Sequence, residues 1–131
     1  MADGSILVVD DDEAYLWYVD EVLKTAGLSP TLCTSAYAAK KALAEGSFAL
    51  VIADLMLPGS SGLDVLEAAR QADPRSVGVI MTAFSSAEAG REAVAKGAFD
   101  FLSKPCPAEA LLACVHRALE HALKSRPEGL A

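Results

Sequence analysis

The chain predicts an α/β fold in which five parallel strands form one sheet with helices on both faces. Three observations carry that prediction. Five short apolar runs alternate with five stretches of helical period, the alternation that βαβ units require. No hairpin turn joins one run to the next, so each crossover is helical and right-handed. Four of the runs end on polar residues or meet one within two positions: Asp10 and Asp11 after the first, Asp54 after the third, Thr82 after the fourth, Lys104 after the fifth. In an open parallel sheet these positions share the edge at which ligands bind.

Size and composition narrow the function classes. At 131 residues the chain has the usual size of one domain. Hydrophobic residues make up 53% of it and charged ones 22%, which argues against a disordered segment. No apolar run approaches the roughly 20 residues of a membrane helix, and the start MADGSILVV lacks a basic region and a cleavage site. A cytoplasmic location without a membrane partner is therefore expected. The formal net charge is -7, from 18 acidic and 11 basic side chains. No Lys or Arg cluster is present, so direct nucleic-acid binding by this domain is not expected, because clustered cations supply most of that affinity. Cys33, Cys106 and Cys114 are odd in number and form no CxxC pair; neither a disulfide framework nor a zinc site is indicated, and all three are expected reduced.

The first strand is SILVV, residues 5–9, wholly apolar as a strand covered on both faces should be. Residues 13–26 follow as an amphipathic helix, with Leu16, Val19, Leu23 and Ala26 on one side and Asp20, Glu21 and Lys24 on the other. Gly27 ends it. SPTLCT, residues 29–34, is a weaker strand that Pro30 demotes toward an edge. An alanine-rich helix over 36–45 is closed by Gly46, and FALVIA, residues 48–53, is the third strand. The Pro58 to Gly62 loop leads into a helix over 63–72, with Leu63, Leu66 and Ala69 inward, which Asp73 and Pro74 break. VGVIM, residues 77–81, is the fourth strand. Ser85 or Ser86 caps a helix running to about Lys96, followed by Gly97. Val94 is the only apolar residue in that helix larger than alanine, so the helix should be loosely held. Residues 99–102 form the last strand, and 108–125 a long helix through Leu111, Leu112, Val115, Leu119 and Ala122.

An acid at the tip of a buried strand is costly unless it is solvated, paired or bound to a cation. Several carboxylates at one edge repel one another unless a cation sits among them, and an oxygen-only set suits magnesium. With such an ion in place, Asp54 could receive a phosphoryl group whose oxygens are held by the cation, Thr82 and Lys104. Positioning and charge neutralisation are most of what phosphoryl transfer asks of a protein.

ILVVDDDE, VIADLMLPGSSGLDVL, VIMTA and GAFDFLSKP occur in that order. In these motifs the chain resembles the receiver domains of bacterial two-component response regulators over residues 5–121. The resemblance implies a flavodoxin-like, chemotaxis-regulator-like sheet of order 2-1-3-4-5, residues 1–125 as the receiver domain, and 126–131 as a frayed tail or the start of a linker. It implies that Asp54 accepts a phosphoryl group from a histidine kinase or phosphotransfer protein. Asp10, Asp11, Asp54 and the backbone carbonyl of Met56 would hold Mg2+ or Mn2+, with Asp11 a direct ligand and Asp10 acting largely through water. Thr82 would be the switch hydroxyl, Lys104 the phosphate-binding lysine in a cis bond to Pro105, and Phe101 the switch aromatic, here without a hydroxyl. The surface of the fourth helix, fifth strand and fifth helix would then control a homodimer or an output domain.

Two other classes use the same residues: a phosphorylation-independent interaction module on this fold, and a magnesium-dependent phosphohydrolase. The second usually needs another acid just after the nucleophile, where this chain has Leu55 and Met56. Asp12 and Glu13 read as acids capping the first helix. Tyr15, Trp17 and Tyr18 read as packing and half-exposed surface, and His116 and His121 receive no role. Cys106 lies between two prolines where the family often carries a large apolar residue.

Overall fold

The computed structural model describes residues 5–83 and 86–124. Its main sheet contains β1 (Ile6–Val9), β2 (Thr31–Cys33), β3 (Leu50–Asp54), β6 (Val77–Thr82) and β7 (Asp100–Ser103), all parallel, in the order β2-β1-β3-β6-β7. That is the expected 2-1-3-4-5 order of the sheet strands. One feature was not expected: β4 (Met56–Leu57) and β5 (Ser60–Ser61) form a two-residue antiparallel pair around Pro58 and Gly59. The loop after β3 is therefore held as a small hairpin. The helices are α1 (Glu13–Thr25), α2 (Ala36–Glu45), α3 (Gly62–Ala72), α4 (Ala87–Ala95) and α5 (Ala108–Lys124).

Period-two alternation divides the core. Ile6, Val8, Leu50, Ile52, Val79 and Met81 pack with α1 and α5, whereas Leu7, Val9, Val51, Ala53 and Ile80 pack with α2, α3 and α4. Both faces of the central strands are thus buried, which is why their sequences read as unbroken apolar runs. β2 and β7 are the edge strands, and in β2 Thr31 and Leu32 are exposed.

Local chemistry sets the helix ends. Asp12 caps α1 by accepting the Tyr15 N–H at 3.2 Å, Ser35 caps α2, and Ser61 with Asp64 forms a capping box on α3. Inward faces differ in detail from the periodicity. Asp20 is buried rather than on the solvent side, because it pairs with Lys24 at 2.8 Å one turn on, while Ala26 lies past the end of α1 and is exposed. Val65 takes the inner position expected of Leu63, which is half-buried.

The fourth helix is as weakly packed as its composition suggests. Ala93 is its buried residue and Val94 is 54% exposed. One buried methyl is worth about 0.8 kcal/mol, less than the roughly 1–2 kcal/mol of backbone entropy lost by a single ordered residue. Its ends are held by polar contacts instead. Ser86 caps the start, and Arg70 of α3 donates to the carbonyls of Lys96 at 3.1 Å and Gly97 at 3.4 Å. Ser85, the other cap considered, and residues 125–131 lie outside the described residues.

Candidate functional site

Strand ends deliver the polar residues to one place. Asp10 follows β1, its N–H donating to the Cys33 carbonyl at 3.1 Å and its Oδ1 accepting the Asp12 N–H at 3.0 Å. Asp54 closes β3, and its Oδ1 accepts the Met56 N–H at 3.0 Å. Thr82 closes β6, fully buried, and its carbonyl accepts the Lys104 N–H at 3.0 Å. The Lys104–Pro105 bond is cis, as the resemblance implies. From there Lys104 reaches back across the sheet, its Nζ 2.5 Å from Asp10 Oδ2 and 2.6 Å from Asp54 Oδ2.

The electrostatics are those of a buried acid pair sharing one cation. Asp10 is 1% exposed and Asp54 8%, while Asp11 stands exposed at the rim. Burial raises the Asp10 carboxyl above its ordinary value, outweighing the lowering by Lys104, and the Asp54 charge pushes the same way as burial. Burial also pulls on Lys104, but its bonds to Asp10 and Asp54 more than reverse this and hold the ammonium above its ordinary value. In both groups the burial effect is the largest single influence; the pair ends with opposite balances because the lysine has two acidic partners.

The donor set suits a hard divalent cation. One carboxylate oxygen from each of Asp10, Asp11 and Asp54 lies within 4.8 Å of the others. Magnesium–oxygen bonds of about 2.1 Å place octahedral ligands about 3.0 to 4.2 Å apart, so small side-chain rotations bring these oxygens to ligand spacing.

The first residue of α3, just after the hairpin, fits closely against the Asp54 backbone. Gly62 donates its N–H to the Leu55 carbonyl at 3.0 Å, and a Cβ added at Gly62 would lie 2.2 Å from the Asp54 carbonyl oxygen. Backbone cannot yield as a flexible side chain can. Gly62→Ala is expected to lose about 1–3 kcal/mol of stability and to displace Asp54. Thermal unfolding checks the first effect; a variant melting with the parent would show that the hairpin accommodates the methyl.

Phe101 is half-buried on β7 and faces α4. It lines a groove of about 670 Å³ with Ser86, Ala87, Gly90, Arg91 and Val94. The site and this groove thus occupy different parts of the molecule, joined by β6 and β7. Sequence reasoning missed Tyr15 as a site neighbour: its ring centroid is 4.7 Å from Lys104 Nζ. Helical periodicity marks Tyr15 only as flanking the buried stripe, and nothing local names its partner. The three cysteines are free and buried; burial, helped by the nearby Asp100, pushes the Cys114 thiol up to about 12, which makes it inert. His121 stacks on Phe99 with ring centroids 5.1 Å apart.

Fold and site together define a doubly wound α/β domain with an acidic crevice at the carboxyl ends of its strands. Residues 6–116 match the family model of the response regulator receiver domain. The chain is 36% identical over 121 residues to the DNA-binding transcriptional regulator NtrC of Escherichia coli (strain K12), covering 92% of this chain and 26% of that protein. It is 37% identical over 124 residues to the response regulator protein FleR of Pseudomonas aeruginosa, covering 95% and 26%. Among solved structures, the CheY-like receiver domain protein of Methanospirillum hungatei JF-1 superimposes with a TM-score of 0.86 at 26% identity, covering 95% of this chain and all of that one. The beryllofluoride-activated NtrC4 receiver domain dimer gives 0.85 at 28% identity, with coverages of 91% and 98%. The chain belongs to the receiver domains of two-component response regulators, the phosphoacceptor switches of those systems. It spans about a quarter of the length of the NtrC and FleR proteins it matches. Receiver domains are signalling domains that bind magnesium at an acidic pocket, and such a pocket is present here. Among the described residues, no helix is long and apolar enough to cross a membrane.

Proposed function

We propose that Asp54 is the phosphorylated residue of this receiver. The observation that carries the reading is the convergence of Asp10, Asp11 and Asp54 within 4.8 Å, with Lys104 held 2.6 Å from Asp54. Asp10, Asp11, Asp54 and the Met56 carbonyl hold Mg2+ or Mn2+, which supplies charge neutralisation to the phosphoryl oxygens when bound. An Asp54 oxygen forms a bond to phosphorus while the bond from phosphorus to the partner's phosphohistidine nitrogen breaks, and the imidazole keeps that electron pair. Thr82 and Lys104 hold the phosphoryl oxygens. Once Lys104 leaves the Asp10 carboxylate and Thr82 moves toward the phosphoryl group, space opens for Phe101 to turn inward against weakly packed α4, an element that a few kcal/mol can bias.

The donor in this reading is a histidine kinase or phosphotransfer protein. Residues 1–125 act as the receiver unit, and the surface of α4, β7 and α5 controls an output domain or a homodimer. Two comparisons support that last part: the NtrC and FleR proteins extend well beyond the matched region, and the beryllofluoride-activated NtrC4 receiver domain is a dimer. Leu55 and Met56 follow Asp54 without a second acid, which disfavours a phosphohydrolase.

The test is the metal requirement. Protein stripped with EDTA should not label with a small phosphodonor, and Mg2+ or Mn2+ should restore labelling; full labelling without a divalent cation would sink the proposed ligand set. Sedimentation velocity with Mg2+ and beryllofluoride reads the output surface. A change in sedimentation that EDTA reverses is expected, and identical profiles would remove the dimer from the proposal.

A further inference from the structure

The corner after β7 is fastened to α1 by two tyrosines. Cys106 donates its N–H to the Tyr15 hydroxyl at 3.1 Å, and its carbonyl accepts the Tyr18 hydroxyl at 2.7 Å. Both backbone polar groups of one buried residue are thus satisfied from one helix. The Tyr15 hydroxyl also donates to Met81 Sδ at 3.4 Å, on the strand that ends in Thr82. The two rings lie 5.5 Å apart, tilted by 51°, within the range of favourable aromatic pairs. Because Pro105 and Pro107 carry no N–H, Cys106 offers the one amide donor in the PCP turn. Its small, buried side chain stands against the same cluster as the two rings.

Lys104 is two residues before Cys106. Its ammonium sits 4.7 Å from the Tyr15 ring centroid, within cation–π range. The lysine is therefore gripped at both ends: its chain by the Cys106 peptide and its charge by the ring and the two aspartates.

We propose that Tyr15, supported by Tyr18, is a positioning residue for Lys104. The ring holds the ammonium over the crevice when the aspartates release it, so that it meets the incoming phosphoryl oxygens with little reorganisation. This rests on the reading of Lys104 as the phosphoryl-holding cation.

The test is a double-variant cycle on the described protein, measuring the rate of magnesium-dependent labelling by a small phosphodonor. Tyr15→Leu is expected to lower that rate by about tenfold, Tyr15→Phe to recover most of it by restoring the ring, and Tyr15→Leu to have no further effect in a Lys104→Ala background. A merely structural role would lower the rate by the same factor in both backgrounds, and that result would overturn the proposal. If Lys104→Ala alone leaves labelling unchanged, the reading of Lys104 falls instead. The clamp is then judged in the parent protein by NMR, as it is if Tyr15→Leu does not fold. Ring-current displacement of the Lys104 ε-methylene protons supports it, retained in Tyr15→Phe; methylene shifts like those of exposed lysines refute it.

Discussion

Asp54→Asn should reduce magnesium-dependent labelling to background while leaving the protein folded. The carboxylate is the nucleophile in the proposed transfer, and an amide in its place has no anionic oxygen to attack phosphorus. The variant should stay folded because Lys104 keeps one of its two acidic partners. Asp54 and Asp10 repel each other across the crevice, and the Asp54 charge adds to the burial effect that raises Asp10. Removing one of the two acids relieves that repulsion and leaves Asp10 as the partner of Lys104, 2.5 Å away. An asparagine can still accept the Met56 N–H that Asp54 Oδ1 now accepts. Circular dichroism and thermal unfolding close to those of the parent, together with lost labelling, are the expected pair of results. Full labelling of the variant at an acid-labile and base-labile linkage would assign the phosphoryl group to another residue.

What the sequence makes legible here follows from range. The central strands β1, β3 and β6 are buried runs whose composition is set by both of their faces, so each is visible as an apolar block, and α2 spans the ten residues its alanine-rich period and closing Gly46 suggest. The site is legible for a related reason: parallel strands all end on one edge, so Asp10, Asp54, Thr82 and Lys104 declare their neighbourhood through topology. Sheet order came only from the resemblance, because apolar blocks do not encode which neighbour each strand pairs with. What stayed hidden depends on contacts between residues far apart in the chain. Tyr15 and Cys106 are 91 residues apart, and Arg70 reaches Lys96 and Gly97 across 26 and 27. The fit of Gly62 against the Asp54 carbonyl is the exception, short in range but still hidden, since a glycine after two serines also reads as an ordinary helix start. Asp20 shows the converse case, in which a local pair with Lys24 lets an acid occupy a buried position that periodicity assigns to solvent.

Lys104→Ala should show the second large effect, and it separates the lysine's two roles. Without a divalent cation, Lys104 is the positive charge between Asp10 and Asp54, with 11% of its own side chain exposed. Deleting it leaves two buried like charges facing each other, and breaking a buried pair on one side costs about 3–5 kcal/mol. Proton uptake by Asp10, already raised by burial, offsets part of this, so a loss of about 3 kcal/mol in EDTA is expected. Magnesium should then stabilise the variant more than the parent, because in the parent the ion enters a crevice that the ammonium already neutralises. Any ligand bound only by the folded state raises stability in this way, and the gain grows with affinity. Labelling should nevertheless stay slow at saturating magnesium, since the cation restores the charge between the carboxylates but not the ammonium on the far phosphoryl oxygens. Denaturant unfolding with and without magnesium, set beside labelling rates, distinguishes the roles. Equal metal-free stability of variant and parent would show that Lys104 is not the counterion of Asp10 and Asp54 in solution, whereas unimpaired labelling would show that the phosphoryl group is neutralised without it.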